Sequence, residues 1–333
     1  MDPFQTLTTS QRHGVIIHHW DTDGLCSAAV LFNYLAERFP EKKLTTFVPT
    51  ITNYYLTAQQ LQQLSDAQYQ FAITCDINFP EQTVNGLARV WPDQTYIFDH
   101  HHQTPYRQVH YFNQPHPACA SFITATLGLA NNLLAAIAMV GDREESIQQD
   151  TQYYPWVAEM MQQYNISFAQ LLTLRRLIDS NYMVDDYSGM HDTIQLLRHD
   201  PLALLTDVKL ENNLQQIGGE IDRLLEQAPQ ALSNQVLFLD LHTSLNILSH
   251  VTRNISRQYP DKIIFTRQLK ADQYTCYIRR RQLQYDMRQL IQFARDLGLN
   301  AGGKEEVVGI IIPREQLNEI FPKLQAKVAS IQV

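Results

Sequence analysis

Cysteine is scarce in this sequence, and no long apolar run interrupts it. The chain has four cysteines among 333 residues, none in a Cys-x-x-Cys pair, which argues against a disulfide-stapled scaffold and predicts reduced thiols. The most apolar stretch, 127–141, contains two asparagines and is too short to cross a bilayer. The first residues lack the apolar segment of a secretion signal. We therefore expect a soluble, cytoplasmic protein that has no membrane partner.

Basic residues are also few. Lysine and arginine total 26 against 34 aspartates and glutamates, which gives a formal net charge of −8. A protein that grips a long nucleic acid needs an excess of positive charge to neutralise the phosphates. The balance therefore argues against a long nucleic acid as ligand. It leaves room for a short nucleotide bound in a pocket where metal ions supply the positive charge.

Short apolar runs alternate with helical patterns through the first 150 residues. Such alternation indicates a mostly parallel sheet covered by helices. We predict an α/β fold: an N-terminal, mostly parallel sheet with flanking helices, a helical linker and a smaller C-terminal α/β domain. The predicted strands of the first sheet are 14–18, 44–50, 70–76 and 95–100, and the predicted helices are 26–39, 56–67 and 120–141.

The second half of the chain changes character twice. A polar, helical pattern covers 151–232, and strand patterns then resume at 234–241 and recur to 306–313. A second, smaller α/β domain is the expected result. The predicted divisions are a catalytic-type domain over 1–185, a helical linker over 186–232 and a C-terminal domain over 233–333.

Acidic residues and histidines follow three of the predicted strands. His19, Asp21 and Asp23 come after the first strand, Asp76 after the third, and 99–102 ("DHHH") after the fourth. Parallel strands present their carboxyl ends at one edge of the sheet, where ligands bind. Crowded carboxylates at a buried edge are costly unless a cation lies among them. Mixed carboxylate and imidazole ligands suit Mn²⁺ or a similar divalent ion, and two such ions support hydrolysis at phosphorus.

The order of these motifs resembles a known family. "HWDTDG", "CD", "DHH" and "GD" occur in that order between residues 19 and 142, and they resemble the four motifs of the DHH phosphoesterase superfamily. "GGKEEVVG" at 302–309 resembles the GGHPxAAG motif of the DHH-associated domain, and "YIRR" at 277–280 resembles its Ser-x-Arg strand. The resemblance covers nearly the whole chain. It implies a RecJ-like or nano-RNase-like enzyme with a DHH domain and a DHH-associated substrate-binding domain.

The resemblance also implies two divalent metal ions, with Mn²⁺ favoured and Mg²⁺ or Co²⁺ as alternatives. One carboxylate would touch both ions. The implied ligands are His19 and Asp21 for the first ion, Asp23, His100 and Asp142 for the second, and Asp76 between the two.

Two further roles follow from the resemblance. His101 would meet the scissile phosphate as hydrogen-bond donor or general acid, and Asp99 would orient its neighbours. Lys304 stands where the family has histidine, so we expect recognition of the phosphate or base to differ. The implied substrate-binding residues are Arg279, Gly302, Gly303 and Lys304.

Other residues have plainer interpretations. Arg175–Arg176 on a helix are expected at the surface. Tyr54 and Tyr55 can stack on a base, but core packing is the commoner role for such rings. His18 and His102 match no family ligand, and we expect them beside the centre or exposed.

Three functions remain open. The favoured one is a two-metal phosphodiesterase that hydrolyses short single-stranded oligonucleotides or dinucleotides, linear or cyclic, to mononucleotides. An inorganic pyrophosphatase or polyphosphatase would use the same metal motifs. A non-catalytic replication-type scaffold would keep the fold and lose ligands. The expected partner is a short oligonucleotide or dinucleotide, and the oligomeric state, a homodimer included, stays open.

Overall fold

The chain divides into two compact units, Met1–Leu214 and Gln215–Val333. Each unit contains one sheet with helices, so the predicted α/β class is confirmed. Across the residues that the structure describes, no helix is long and apolar enough to cross a membrane. The structure is a computed structural model, and it describes residues 3–7, 12–101, 105–270, 272–282 and 285–331. His102 lies outside the described residues.

The sheet of the first unit has five parallel strands. They are β1 (His13–His18), β2 (Lys43–Phe47), β3 (Phe71–Cys75), β4 (Thr95–Asp99) and β5 (His110–Asn113). Their spatial order is β2-β1-β3-β4-β5, so the chain crosses from one side of β1 to the other between β2 and β3. A reversal of this kind opens a crevice outside the carboxyl ends of β1 and β3. The first four strands were predicted, and β5 was not.

The three central strands, β1, β3 and β4, are buried on both faces, and their alternating side chains enter two different apolar clusters. On β1, Ile16 packs in one apolar cluster and Val15 and Ile17 in another. The cluster around Ile16 includes the apolar residues of the long helix that follows β1, and the other includes the helices before and after β3. The helices of this unit are α1 (Thr22–Arg38), α2 (Ala58–Asp66), α3 (Glu81–Val90), α4 (Cys119–Thr126), α5 (Leu133–Arg143), α6 (Tyr154–Tyr164), α7 (Phe168–Met183) and α8 (Tyr187–His199), with α9 (Val208–Leu225) spanning the division and short 3₁₀ helices at Glu144–Gln149 and Pro201–Thr206.

The predicted helix over 120–141 is two helices instead of one. Gly128, just after α4, has a positive φ of 65°, which ends a right-handed helix. The Asn132 side chain then accepts a hydrogen bond from the Ala135 N–H at 3.0 Å and caps the start of α5. The break matters for the site because both α4 and α5 have an end at the metal centre described below.

The second unit is built on a six-stranded mixed sheet. Its elements are β6 (Gln230–Ala231), β7 (Val236–Leu241), α10 (Leu248–Gln258), β8 (Ile263–Lys270), β9 (Gln273–Arg279), α11 (Arg288–Asp296), β10 (Asn300–Lys304), β11 (Val307–Pro313), a 3₁₀ turn at Arg314–Gln316 and α12 (Leu317–Ala329). The order is β10-β11-β9-β8-β7-β6. Strands β7 and β8 are parallel and joined through α10, and the other neighbours are antiparallel. The sequence patterns did not predict β10.

Candidate metal centre

The loop after β1 carries the first predicted ligands into the crevice. The His19 N–H donates to the Cys75 carbonyl at 3.3 Å, so the β1–β3 ladder continues to this residue. Asp21 caps α1 by accepting from the Gly24 N–H at 3.1 Å. A Cβ on Gly24 would lie 2.3 Å from the His19 carbonyl oxygen. The glycine of "HWDTDG" therefore lets α1 begin close against the ligand loop.

Asp23 is completely buried, and the fold fixes its carboxylate. The Ala120 N–H donates to it at 2.9 Å, the Cys119 N–H also donates, and the Ser27 hydroxyl does so at 3.2 Å. The residue before helix α4 provides no side-chain cap. Asp23, which lies 97 positions earlier in the sequence than Ala120, caps the helix instead. This arrangement brings the Asp23 Oδ2 to 3.7 Å from the His100 Nε2.

Asp76 stands between two groups of donor atoms. Its backbone takes a left-handed conformation, φ 61°, directly after β3. One carboxylate oxygen lies 3.7 Å from the His19 Nδ1, and the other lies 3.4 Å from the His100 Nε2. Donor atoms within 4.8 Å of one another form the groups His19, Asp21 and Asp76; Asp23, His100 and Asp142; and Asp76, His100 and His101. The structure therefore brings together all the predicted metal ligands.

His100 has the tautomer that a metal ligand needs. Its Nδ1–H donates to the His116 carbonyl at 2.9 Å, which leaves the lone pair on Nε2. That Nε2 is buried and has no hydrogen-bond partner among the described residues. It faces Asp23, Asp76 and Asp142 at 3.4 to 3.7 Å. A lone pair facing three carboxylates is accommodated by a cation between them, so these residues fit a divalent ion.

The carboxylates also perturb one another. Burial, and then the charges of Asp23 and Asp21, raise the pKa of Asp76 well above its usual value. Burial likewise raises the pKa of Asp23, although His100 and the helix N–H groups offset part of it. For Asp21 burial acts in the same direction, but the adjacent His19 outweighs it and lowers the pKa. Such a cluster is costly as bare anions, and divalent cations would remove the cost.

Asp99 and His101 form a separate pair at the rim. The buried Asp99 carboxylate accepts from the His101 Nδ1–H at 2.8 Å and from its backbone N–H at 3.2 Å. Burial opposes protonation of the ring, but the Asp99 contact outweighs it and raises the pKa of His101. The His101 side chain is 48% exposed, so its far edge can reach a substrate. The Asn113 amide donates to the carbonyls of both residues and fixes the loop.

A buried pair on α7 supports the centre and was not predicted. The Asp179 carboxylate accepts from Thr22 at the start of α1 and lies 3.0 Å from the Arg175 Nε. Arg175 also reaches the Glu144 carboxylate at 3.2 Å, two residues after Asp142. Of the two arginines expected at the surface, Arg176 is exposed, but the Arg175 side chain is only 17% exposed, so for Arg175 the expectation was wrong. The i, i+4 spacing of Arg175 and Asp179 is visible in the sequence, but their partners are not.

The predicted substrate-binding residues lie in the second unit. Arg279 ends β9, between Ile264 of β8 and Val307 of β11. Gly302, Gly303 and the exposed Lys304 end β10.

The side chain of the neighbouring Arg280 makes contacts within the same unit. Its guanidinium donates to the Tyr285 carbonyl and pairs with Glu305 at 3.0 Å. The Arg280 guanidinium is therefore engaged in contacts within the second unit.

Comparison with known proteins matches a family model to the part of the chain that carries this centre. Residues 14–162 match the family model described as "DHH family, N-terminal domain", and that span contains every predicted metal ligand. These residues therefore match the N-terminal domain of the DHH family, and the resemblance to the DHH superfamily is confirmed. No curated protein sequence matches the chain.

Solved structures share the fold at low sequence identity. RecJ from Thermus thermophilus, solved with Mn²⁺, has 16% identity and a TM-score of 0.66 over 97% of this chain and 53% of its own. The DHH domain of a member of a ribosomal protein family has 14% identity and a TM-score of 0.72 over 98% and 88%. The pGpG-specific phosphodiesterase PggH from Vibrio cholerae has 12% identity and a TM-score of 0.50 over 95% and 99%. The chain thus spans about half the length of that RecJ.

Proposed function

We propose that this protein is a two-metal phosphodiesterase that hydrolyses short single-stranded oligonucleotides or dinucleotides to mononucleotides. The observation that carries the proposal is the position of Asp76, whose two carboxylate oxygens face two separate donor groups. Each group combines imidazole with carboxylate, a set that suits Mn²⁺, with Mg²⁺ and Co²⁺ as alternatives. The likeness to a RecJ solved with Mn²⁺ supports the same choice.

The chain's own residues would supply orientation and a proton. Two divalent ions activate water near neutral pH and neutralise charge on phosphate oxygens. The His101 Nδ1–H is held by Asp99, and the opposite edge of the ring is exposed to solvent. From that edge His101 would donate a hydrogen bond or a proton to the phosphate. Asp99 would keep the imidazole protonated and oriented.

Substrate length follows from charge. A net charge of −8 disfavours long strands, and PggH, which shares the fold, acts on a dinucleotide, pGpG. Within the second unit, Arg279 and Lys304 would pair with a substrate phosphate, while Gly302 and Gly303 would let the backbone approach it.

The test is product analysis with Mn²⁺ and a panel of substrates. The panel is an RNA dinucleotide, a long single strand, a cyclic dinucleotide and pyrophosphate. We expect fastest cleavage of the dinucleotide and its loss in Asp76→Asn. Asp93→Asn is the matched control, because Asp93 is exposed and also has a positive φ, 55°. Phosphate released from pyrophosphate alone would indicate a pyrophosphatase, and absence of both turnover and bound Mn²⁺ would indicate a scaffold.

A second variant tests the role of His101 separately. His101→Gln should lower kcat by about 10²- to 10⁴-fold, the usual range for loss of a general acid, with the Mn²⁺ content unchanged. Exposed His13→Gln should leave kcat as it is. A kcat close to wild type in His101→Gln would remove the proton-donor role and leave the metal assignment intact.

A further inference from the structure

Tyr54 presents an exposed aromatic ring beside the metal centre. Its ring centroid lies 5.8 Å from that of His19, with 23° between the planes, and 5.3 Å from that of Trp20. Trp20 in turn lies 4.2 Å from His19 and is buried. Tyr54 is 51% exposed. The three rings form one aromatic cluster, and Tyr54 is its exposed member.

The loop that carries Tyr54 is firmly anchored. Ile51, Asn53 and Leu56 are all buried on either side of it. The Ile51 N–H donates to the Tyr187 hydroxyl at 3.1 Å, which ties the loop to the start of α8. The exposure of Tyr54 therefore does not come from a loose segment. A ring is held in place at the surface, next to a predicted ligand.

An exposed ring so placed has a natural counterpart in a nucleotide. A base offers a flat π face that stacks on tyrosine whatever its identity, whereas pyrophosphate offers none. In a nucleotide one sugar joins the phosphate to the base, so a phosphate beside His19 leaves its base within reach of the adjacent ring. We propose that Tyr54 is the stacking platform for the base next to the scissile phosphate. This inference rests on the proposed function and adds a specificity residue to it.

The kinetic test removes the ring and the base in turn. Tyr54→Ala should raise the KM for an RNA dinucleotide by about 5- to 150-fold, the factor that corresponds to one stacked base. Tyr54→Phe should keep a low KM, and Tyr54→Leu should not. For a dinucleotide with an abasic residue at the stacked position, KM is already high, and the alanine variant should add little to it.

Tyr55→Ala is the matched control because Tyr55 is the half-buried neighbour in the same loop. It should leave the KM for the dinucleotide unchanged. Equal KM increases for the normal and abasic substrates would overturn the proposal, as would Tyr54→Phe behaving like Tyr54→Ala.

A binding measurement separates this inference from the proposed function. A 2-aminopurine nucleoside monophosphate needs no turnover, and stacking on the wild-type ring should quench its fluorescence. Quenching that is lost in Tyr54→Ala supports the platform even if no substrate is hydrolysed, in which case only the proposed function fails. Dinucleotide cleavage with no Tyr54-dependent quenching or KM change would overturn the platform and leave the function standing. Absence of both binding and turnover would overturn both.

Discussion

The Asp179 carboxylate accepts two hydrogen bonds from Thr22, from its N–H at 2.9 Å and from its hydroxyl at 2.8 Å. The contact joins α7 to the first turn of α1, where two of the predicted metal ligands lie. The second Asp179 oxygen pairs with Arg175, and Arg175 reaches Glu144 at the end of α5. Asp179 and Arg175 together thus link the start of α1 to the end of α5, and both of these helix ends carry predicted ligands.

Breaking this contact should cost stability. We expect Asp179→Ala to lower the free energy of unfolding by about 3 kcal/mol, because a largely buried Arg175 keeps only Glu144 as its carboxylate partner and the buried Thr22 N–H loses its acceptor. Thr22→Val removes only the hydroxyl and should cost about 1 kcal/mol. Urea unfolding of the metal-free protein measures both. The exposed Asp192→Ala on α8 is the control, and a wild-type midpoint in Asp179→Ala would contradict the bracing role.

The effect of Asp76→Asn on the free energy of unfolding should have opposite signs without and with bound metal. Without metal, the variant relieves repulsion in a buried carboxylate cluster, so we expect it to be more stable than wild type by about 1 kcal/mol or more. With Mn²⁺ at 100 times its Kd the wild type should gain about 2.7 kcal/mol, and the variant should gain much less. Unfolding in chelator and in Mn²⁺ compares the two. The stability of Asp93→Asn relative to wild type should be the same in chelator and in Mn²⁺. If Asp76→Asn without metal is less stable than wild type, that would argue against a cation-stabilised cluster.

The sequence pattern predicted those strands whose apolar residues are also buried in the structure. Strands β1, β3 and β4 are largely apolar and buried, as the central strands of a parallel sheet require, and predicted ligands follow each of them. Strand β5 lies at the sheet edge and each of its residues is only half-buried, so its pattern is weak. Strand β10 contains Gly302 and Gly303 and is held as a strand by its pairing with β11.

Long-range contacts explain what else was missed. Asp179 lies 157 positions from Thr22, and no local pattern links the two. The same limit applies to His100, whose tautomer is fixed by a backbone carbonyl, that of His116. Tyr54 was expected in the core because burial is the commoner fate of such a ring, and only the folded loop shows it exposed.

His18 should make the metal-free protein sensitive to mild acid. Burial lowers its pKa from 6.5 to about 4, so between these values the unfolded chain binds a proton that the folded chain does not. Stability from this group is therefore complete above pH 6.5 and lost as the pH falls toward 4, by up to about 3 kcal/mol.

His18→Asn isolates this pH dependence. Asparagine can keep the hydrogen bond that the His18 Nδ1 makes to the His19 carbonyl at 2.7 Å, but it does not titrate. Urea unfolding from pH 7.5 to 4.5 should show a shallower decline for the variant than for wild type. The exposed His13→Asn on the same strand should decline as wild type does, and equal slopes for His18→Asn and wild type would contradict the assignment.

Gly302 and Gly303 should respond differently to the same substitution. Gly303 has a φ of 148°, and a Cβ there would lie 2.2 Å from the Val307 carbonyl oxygen, so Gly303→Ala should destabilise the second unit by about 1–3 kcal/mol. At Gly302 a Cβ would meet no described atom within 4 Å, so Gly302→Ala should leave stability nearly unchanged.

If the Gly302 backbone does approach substrate, the added methyl group acts on binding alone and raises KM. Urea unfolding and dinucleotide kinetics on both variants separate the two effects. Gly218→Ala in α9, where space is also open, is the control and should leave KM unchanged. A wild-type KM in Gly302→Ala would move the substrate contact away from this strand and leave Arg279 and Lys304 as its candidates.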